Sequence, residues 1–301
     1  LLKDIDINIQ LSRIFSAINF PLNKTELKEI THVGNLIDDA IDSMLTVLKQ
    51  NFATSGYTIY HESFRRYVLK TVEEKNVYII GDVYEPMIRW FSSKNFFKDP
   101  KSFRYYLALL NEANKFESTL EFLKISFVAN ALAEGNSWNA IEKNYYYFLK
   151  AAVASKDFVE IVILNELNKI IFSTADNVNE QYLIYLETLG YLKGFPKVAE
   201  YLSFEGKPTI QDFQVGIRAC YLCEKHNSTP PWNLYDNYFA TKFINREDYK
   251  YYITYQLSQR NIEELKSIAK RLIERNAFEF ANIFYEELSN FHDKEFLNSL
   301  E

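Results

Sequence analysis

Cys220-Tyr221-Leu222-Cys223, with His226 three residues further on, places two thiols and an imidazole within one short stretch. A structural zinc site takes about four ligands, usually with a turn between ligand pairs. This set lies in a helical run, Gly216 to Lys225, and no fourth ligand accompanies it. No metal site is therefore expected, and buried helical cysteines are the better reading. A redox Cys-x-x-Cys needs a βαβ setting, which the surrounding pattern lacks. Tyr145-Tyr146-Tyr147-Phe148 and the run Tyr249, Tyr251, Tyr252 and Tyr255 are dense in rings that can stack on bases. A formal net charge of −6 argues against a nucleic-acid backbone as partner. Each run is expected to give part of its rings to the core and part to a protein-binding hot spot. Lys250, Arg260, Lys266, Lys270, Arg271 and Arg275 make the last third locally basic, as a solvated helix face does. Serine and histidine occur without a nucleophile elbow or a metalloprotease motif. No Gly-x-x-x-x-Gly-Lys-Ser/Thr loop is present to hold a triphosphate. The expectation is a chain with no catalytic site of its own, working by binding and regulation.

The elements that position these residues follow from punctuation and period. Hydrophobic residues make up 48% and charged residues 25%, ordinary globular values. With only 8 Gly and 7 Pro in 301 residues, turns are too few for an all-β fold, and long helices are expected. The 22 Tyr and 24 Phe suit helix–helix packing, because each ring buries much area at low entropic cost. Residues 1 to about 20 carry Leu2, Ile5, Ile9, Leu11, Ile14, Phe15 and Ile18 near helical period, and Pro21 ends the run. Asn23 followed by Glu26 resembles a capping box for a second helix. A third helix is expected from about Asn35 to Gln50, with Leu36, Ile37, Ala40, Ile41, Met44, Leu45 and Leu48 on one face. Ala53-Thr54-Ser55-Gly56 reads as a turn and Tyr57-Thr58-Ile59-Tyr60 as a β-prone run. His61 then opens another helix, and by itself it reads as that helix's cap.

Three helices, a hairpin and a further helix outline a winged helix, whose usual task is to place its third helix in the DNA major groove. Here that helix carries Asp38, Asp39 and Asp42 and no arginine, so phosphates are repelled. Beyond about residue 83 the pattern is helix after helix. Polar dipeptides recur at Asn114-Lys115, Lys156-Asp157, Lys193-Gly194, His226-Asn227 and Arg260-Asn261. Their spacing of roughly 33 to 41 residues is that of two-helix solenoid repeats. Phe116, Phe158 and Phe195 follow three of these turns, and Gly194 and Ala199 stand five apart, as in a tetratricopeptide repeat. The expected fold is all-α apart from a small wing: a winged-helix domain over residues 1–80, then an α-solenoid of tetratricopeptide-like hairpins over 81–301. An irregular helical domain without true repeats is the alternative.

The segment Tyr57-Thr58-Ile59-Tyr60-His61-Glu62-Ser63-Phe64-Arg65-Arg66-Tyr67-Val68 resembles a signature of the STAND NTPases, the NACHT-like signalling ATPases. In that family an apolar strand, His-x-Ser-Phe, a polar pair, an aromatic and an apolar residue close the winged-helix domain. Arg66 departs from the pattern, where an acidic residue is common. Phe20-Pro21-Leu22 and Thr25-Glu26-Leu27 also fit, so the resemblance covers about residues 1–75. It implies that His61 reaches the β-phosphate of ADP bound in the parent protein and holds a resting state closed. An imidazole N–H is a good phosphate donor, and losing that contact on domain rotation makes a two-state switch. Phe64, Tyr67 and Val68 are expected in the core, and Arg65 and Arg66 at the solvated surface.

The resemblance places the P-loop and the Walker B acid upstream of Leu1, in an ATPase domain that binds ADP or ATP. The chain begins with Leu and is expected to be a piece of a longer protein. The helical repeats would take a protein trigger; prokaryotic proteins of this kind often serve antiviral defence. Two other readings stay open: a helical-repeat scaffold without nucleotide switching, and a DNA-binding regulator. Two cysteines are too few for a disulfide scaffold, no apolar run reaches membrane-span length, and the opening segment LLKDIDINIQ has no basic n-region and no cleavage site, so it is not expected to be a signal peptide. A cytoplasmic location is expected.

Overall fold

The computed structural model describes residues 6–34, 36–74, 84–175, 178–236, 249–250, 253 and 262–291. Among these are sixteen helices and two small two-stranded antiparallel sheets, so the protein is mostly helical. The chain divides into two compact units, Leu1–Asp176 and Asn177–Glu301. The division expected at residue 80 falls within 75–83, outside the described residues.

The first unit begins with α1 (Ile7–Ala17), capped by the Asp6 carboxylate accepting from the Asn8 N–H. Leu11, Ile14, Phe15 and Ile18 are buried, while Leu2 and Ile5 lie outside the described residues. Pro21 forces an extended approach, and Leu22 exchanges two backbone hydrogen bonds with Tyr57. Helix α2 (Lys24–Thr31) then starts on a complete capping box: Asn23 Oδ1 accepts from the Glu26 N–H, and Glu26 Oε2 accepts from the Asn23 N–H.

Helix α3 (Leu36–Ser43) is shorter than its apolar pattern suggests. Residues 44–47 form turns, and Leu48–Asn51 leaves the helix as strand β1, paired antiparallel to β2 (Gly56–Ile59). Ladder pairing outcompetes continued helix because Val47 and Thr46 favour extended backbone and the 52–55 turn returns the chain. Ile37, Ala40, Ile41, Met44 and Leu48 are buried, but Leu36 and Leu45 are exposed. Helix α4 (Glu62–Glu74) packs on α1, as does α3.

Helices α5 (Glu85–Ser92), α6 (Pro100–Glu112), α7 (Phe116–Leu120), α8 (Phe127–Ala133), α9 (Trp138–Ser155) and α10 (Phe158–Ala175) complete this unit. Helix α9 is its hub and packs against α6, α7, α8 and α10. One apolar core runs from Leu11 to Leu167, through a knot of Phe96, Phe97, Phe103, Phe122, Phe127 and Phe148. The Lys101 ammonium ties α6 to the start of α2. It lies 2.8 Å from the Pro21 carbonyl oxygen and 2.7 and 2.8 Å from the two Glu26 carboxylate oxygens. Both charged side chains are largely buried, so the pair is shielded from water. Lys101→Met keeps the aliphatic stem and leaves these acceptors unpaired. It is expected to cost the first unit about 2 kcal/mol in urea unfolding; unchanged stability would refute that role for Lys101.

The second unit holds α11 (Val178–Lys193), α12 (Phe195–Tyr201), the short strands β3 (Ser203–Phe204) and β4 (Lys207–Pro208), α13 (Phe213–Lys225), α14 (Trp232–Asp236), α15 (Ile262–Glu274) and α16 (Phe278–Phe291). Helices α11, α12 and α13 pack mutually, and α15 packs on α16.

Most of the turn dipeptides read from sequence end helices. Asn114, Lys156 and Asn227 adopt the left-handed conformation, as do Gly135 and Asn276. After each, the next N–H bonds the carbonyl five residues back: Lys115 to Leu110, Asn136 to Ala131, Asp157 to Ala152, Ser228 to Cys223 and Ala277 to Leu272. This closure satisfies helix-end carbonyls, and Asn or Gly tolerates the positive φ it needs. Gly194 (φ 90°) separates α11 from α12. Arg260-Asn261 lies outside the described residues. Helix lengths after residue 84 run from 5 to 18 residues.

Candidate functional site

His61 stands at the junction between strand β2 and helix α4. Its carbonyl oxygen accepts from the Phe64 and Arg65 N–H groups at 3.0 and 3.3 Å, which starts the helix. The side chain is exposed, and its ring lies 3.9 Å from that of Tyr60, centroid to centroid. Tyr60 is itself fixed by its hydroxyl, which donates to the Thr46 carbonyl oxygen at 2.8 Å. The residue's backbone is thus fixed by the start of α4, and its exposed imidazole lies against a tethered ring. Its carbonyl starts the helix while its side chain stays exposed.

The rest of the motif distributes unevenly around α4. Phe64 and Val68, also expected in the core, are only half-buried, and Val72 one turn further on is buried. Tyr67, expected in the core, is 68% exposed. It sits one residue before Val68, about 100° around the helix from the packed face. Arg65 also departs from expectation. Its Nη2 donates to the Ile18 carbonyl oxygen at 2.6 Å, and Glu62 lies 3.9 Å from its Nε. Ile18 caps the end of α1, so Arg65 fastens α4 across the unmatched carbonyls of a helix terminus. Arg66 is solvated as expected, within 3.5 Å of Glu62.

On α3, Asp38 is paired with Lys24 at 2.7 Å and Lys28 at 3.3 Å. Hydrogen bonds from these two lysines hold its carboxyl below the usual carboxylate range. No arginine stands on this helix.

Cys220 and Cys223 are free thiols, both fully buried on α13. Burial pushes the Cys223 thiol up to about 12, and the Cys220 thiol well above its ordinary value. His226 stacks face to face on Phe195 at 3.7 Å, with 2° between the planes, so its ring belongs to a packing contact. Among the described residues, no group of three or more His, Cys, Asp or Glu is arranged to hold a metal ion. Since the thiolate is the reactive form, neither cysteine is expected to react with iodoacetamide in the folded protein near neutral pH. Mass spectrometry should show alkylation only after denaturant is added; rapid labelling of the native chain would contradict the buried placement.

The tyrosine run on α9 splits as anticipated: Phe148 is fully buried and Tyr146 is 61% exposed. Tyr249 is buried, while Tyr251, Tyr252 and Tyr255 lie outside the described residues. The basic face is largely neutralised by acids: Lys250 meets Glu287 at 3.0 Å, Lys266 meets Glu263 at 3.6 Å and Lys270 meets Glu274 at 3.8 Å. Arg271 donates to the Ser267 carbonyl, and Arg260 lies outside the described residues.

Sequence reasoning anticipated exposed rings in the α9 tyrosine run but missed the other exposed apolar residues of α9 and those of α10. Tyr146, Leu149 and Val153 line one exposed face of α9, and Phe158, Val159 and Val162 are exposed on the first turns of α10. The signal was available: the charge that normally covers an outer helix face is missing from α10 between Phe158 and Leu164, apart from Glu160. No described helix is long and apolar enough to cross a membrane. Compared with protein-family models, curated proteins and solved structures, the chain matches none.

Proposed function

We propose that this chain is the regulatory and sensing part of a STAND-type signalling ATPase. Residues up to about 80 act as a winged helix that couples trigger binding to a nucleotide site carried by an upstream domain. The helices beyond residue 84 form the sensor that takes a protein trigger. His61 donates to a phosphate of ADP in the resting parent protein, and the contact is lost when the domain rotates. Catalysis belongs to the parent, and prokaryotic antiviral defence is the setting this reading favours.

The observation that carries the proposal is His61: an exposed imidazole held at the strand–helix junction within the motif that resembles the family signature. The order α1, Leu22 bridge, α2, α3, β1, β2, α4 is consistent with a winged helix, because Leu22 adds a third pairing partner to the hairpin through Tyr57. The repeated helix-closing turns are consistent with stacked helical hairpins. The exposed apolar residues of α9 and α10 give the sensor a face for protein, since exposed apolar patches mark interaction sites. DNA binding is disfavoured by Asp38, Asp39 and Asp42 on α3.

The reading is tested by the coding sequence in frame upstream of Leu1. A P-loop followed by a Walker B acid is the expected result. An upstream region without an ATPase domain would move the assignment to a helical-repeat scaffold.

A further inference from the structure

A cavity of about 270 Å³ lies in the first unit, beside the aromatic core. Three phenylalanines line it: Phe97 from the segment between α5 and α6, Phe122 from the turn after α7, and Phe127 from the start of α8. Phe97 and Phe122 are half-buried, so part of each stays uncovered. This wall is fixed by its own neighbours. Phe122 packs on Phe96 at 4.4 Å, and Phe97 meets Phe127 at 5.8 Å. Asn136 Nδ2 donates to the Phe97 carbonyl oxygen at 2.7 Å. Rings already held in place lose little freedom when a ligand arrives.

The polar groups at the cavity are of opposite sign and unspent. Glu121 and Lys124, both exposed, line it together with Asn130. Among the described residues neither charged side chain has a hydrogen-bond or ion-pair partner, and they do not pair with each other. Elsewhere in this unit Lys94, Lys101, Lys115 and Lys150 each meet an acid. Asn130 Nδ2 donates to Ser126 Oγ at 3.2 Å, which leaves its Oδ1 as an acceptor.

One ligand chemistry answers all of these features. An aromatic ring suits the phenylalanine wall, a carboxylate answers Lys124, and an ammonium answers Glu121 and the Asn130 oxygen. The backbone of an interior peptide residue carries neither charge, and a hydrocarbon leaves both unanswered. A cavity of about 270 Å³ is smaller than the roughly 300–1,000 Å³ of sites for drug-sized ligands, so the ligand is small. We infer that this cavity is a site for a free aromatic α-amino acid, bound as its zwitterion. Charge complementarity at the rim gives selection, and the rings supply contact area. The inference goes beyond the nucleotide-switch reading and does not depend on it.

The test is saturation-transfer NMR on the whole 301-residue chain with L-phenylalanine, followed by titration. Saturable binding is expected, with the strongest transfer to the ring protons. N-acetylphenylalanine lacks the ammonium and phenylalaninamide lacks the carboxylate; each should bind on the order of tenfold more weakly. Lys124→Gln should weaken phenylalanine and the N-acetyl form but leave the amide unchanged, and Glu121→Gln should do the reverse. Lys169→Gln, an exposed lysine on α10, should change nothing. Glu121 and Lys124 are exposed, and circular dichroism of each variant checks that the fold is kept. No saturable binding, equal affinity for the free, N-acetyl and amide forms, or variants that weaken all three alike would overturn the inference. Those failures leave the nucleotide-switch reading intact, because that reading depends on the upstream ATPase domain and His61.

Discussion

Phe127→Ala should destabilise the first unit by about 3–5 kcal/mol, the range for removing a buried aromatic side chain. Phe127 is 1% exposed, and its ring meets Phe103 at 5.8 Å in a stack, Phe148 at 4.9 Å edge-on and Phe97 at 5.8 Å. These neighbours come from α6, α9 and the segment between α5 and α6, so one truncation loosens several interfaces. The remaining rings are themselves locked by one another and cannot collapse into the space. Two-transition urea unfolding is the natural readout, because the core of the second unit is separate. The transition belonging to the first unit should shift and the one belonging to the second unit should not. A loss below about 1 kcal/mol would mean that the aromatic knot is not the centre of the packing.

Gly216→Val should have a comparably large effect on the second unit. A Cβ at Gly216 on α13 would overlap two ring carbons of Tyr235. Tyr235 is wholly buried, and its hydroxyl donates to the Leu202 carbonyl oxygen at 2.7 Å. The ring cannot move aside without breaking that bond or displacing α14. A cost of about 3 kcal/mol or more is expected, the upper part of the overpacking range. Gly216→Ala tests the same contact with a single methyl group. A valine variant with unchanged melting temperature would show that the helices separate here at little cost.

These contacts mark how far the sequence could be read. The capping box at Asn23 and Glu26 was legible because both partners sit three residues apart in one turn. The helix ends at Asn114, Lys156, Gly194 and Asn227 were legible for the same reason: a positive φ is a local demand. The C-x-x-C sits in a helix, as its apolar surroundings suggested. What failed depended on distant partners. Residues 44–50 look helical by period, and only the ladder with Gly56–Ile59 turns them into a hairpin. Arg65 looks like a solvated charge until Ile18, 47 residues earlier, is seen to offer its carbonyl. Tyr67 looks like a core aromatic until α4 is seen to bury a single face. The proximity of Gly216 to Tyr235 and the cavity lined by Phe97, Phe122 and Phe127 likewise arise from tertiary packing, which periodicity alone does not encode.

At the candidate site the position of His61 was legible, since a β-prone run followed by a helix-starting His is local. Its exposure and its ring contact with Tyr60 are features that the sequence does not display. The most direct test of the proposed switch is the nucleotide retained by the purified parent protein, wild type against His61→Ala. The wild type should carry close to one ADP per chain, and the variant should lose most of it and signal without a trigger. Equal ADP content and an unchanged resting state in the variant would contradict the account.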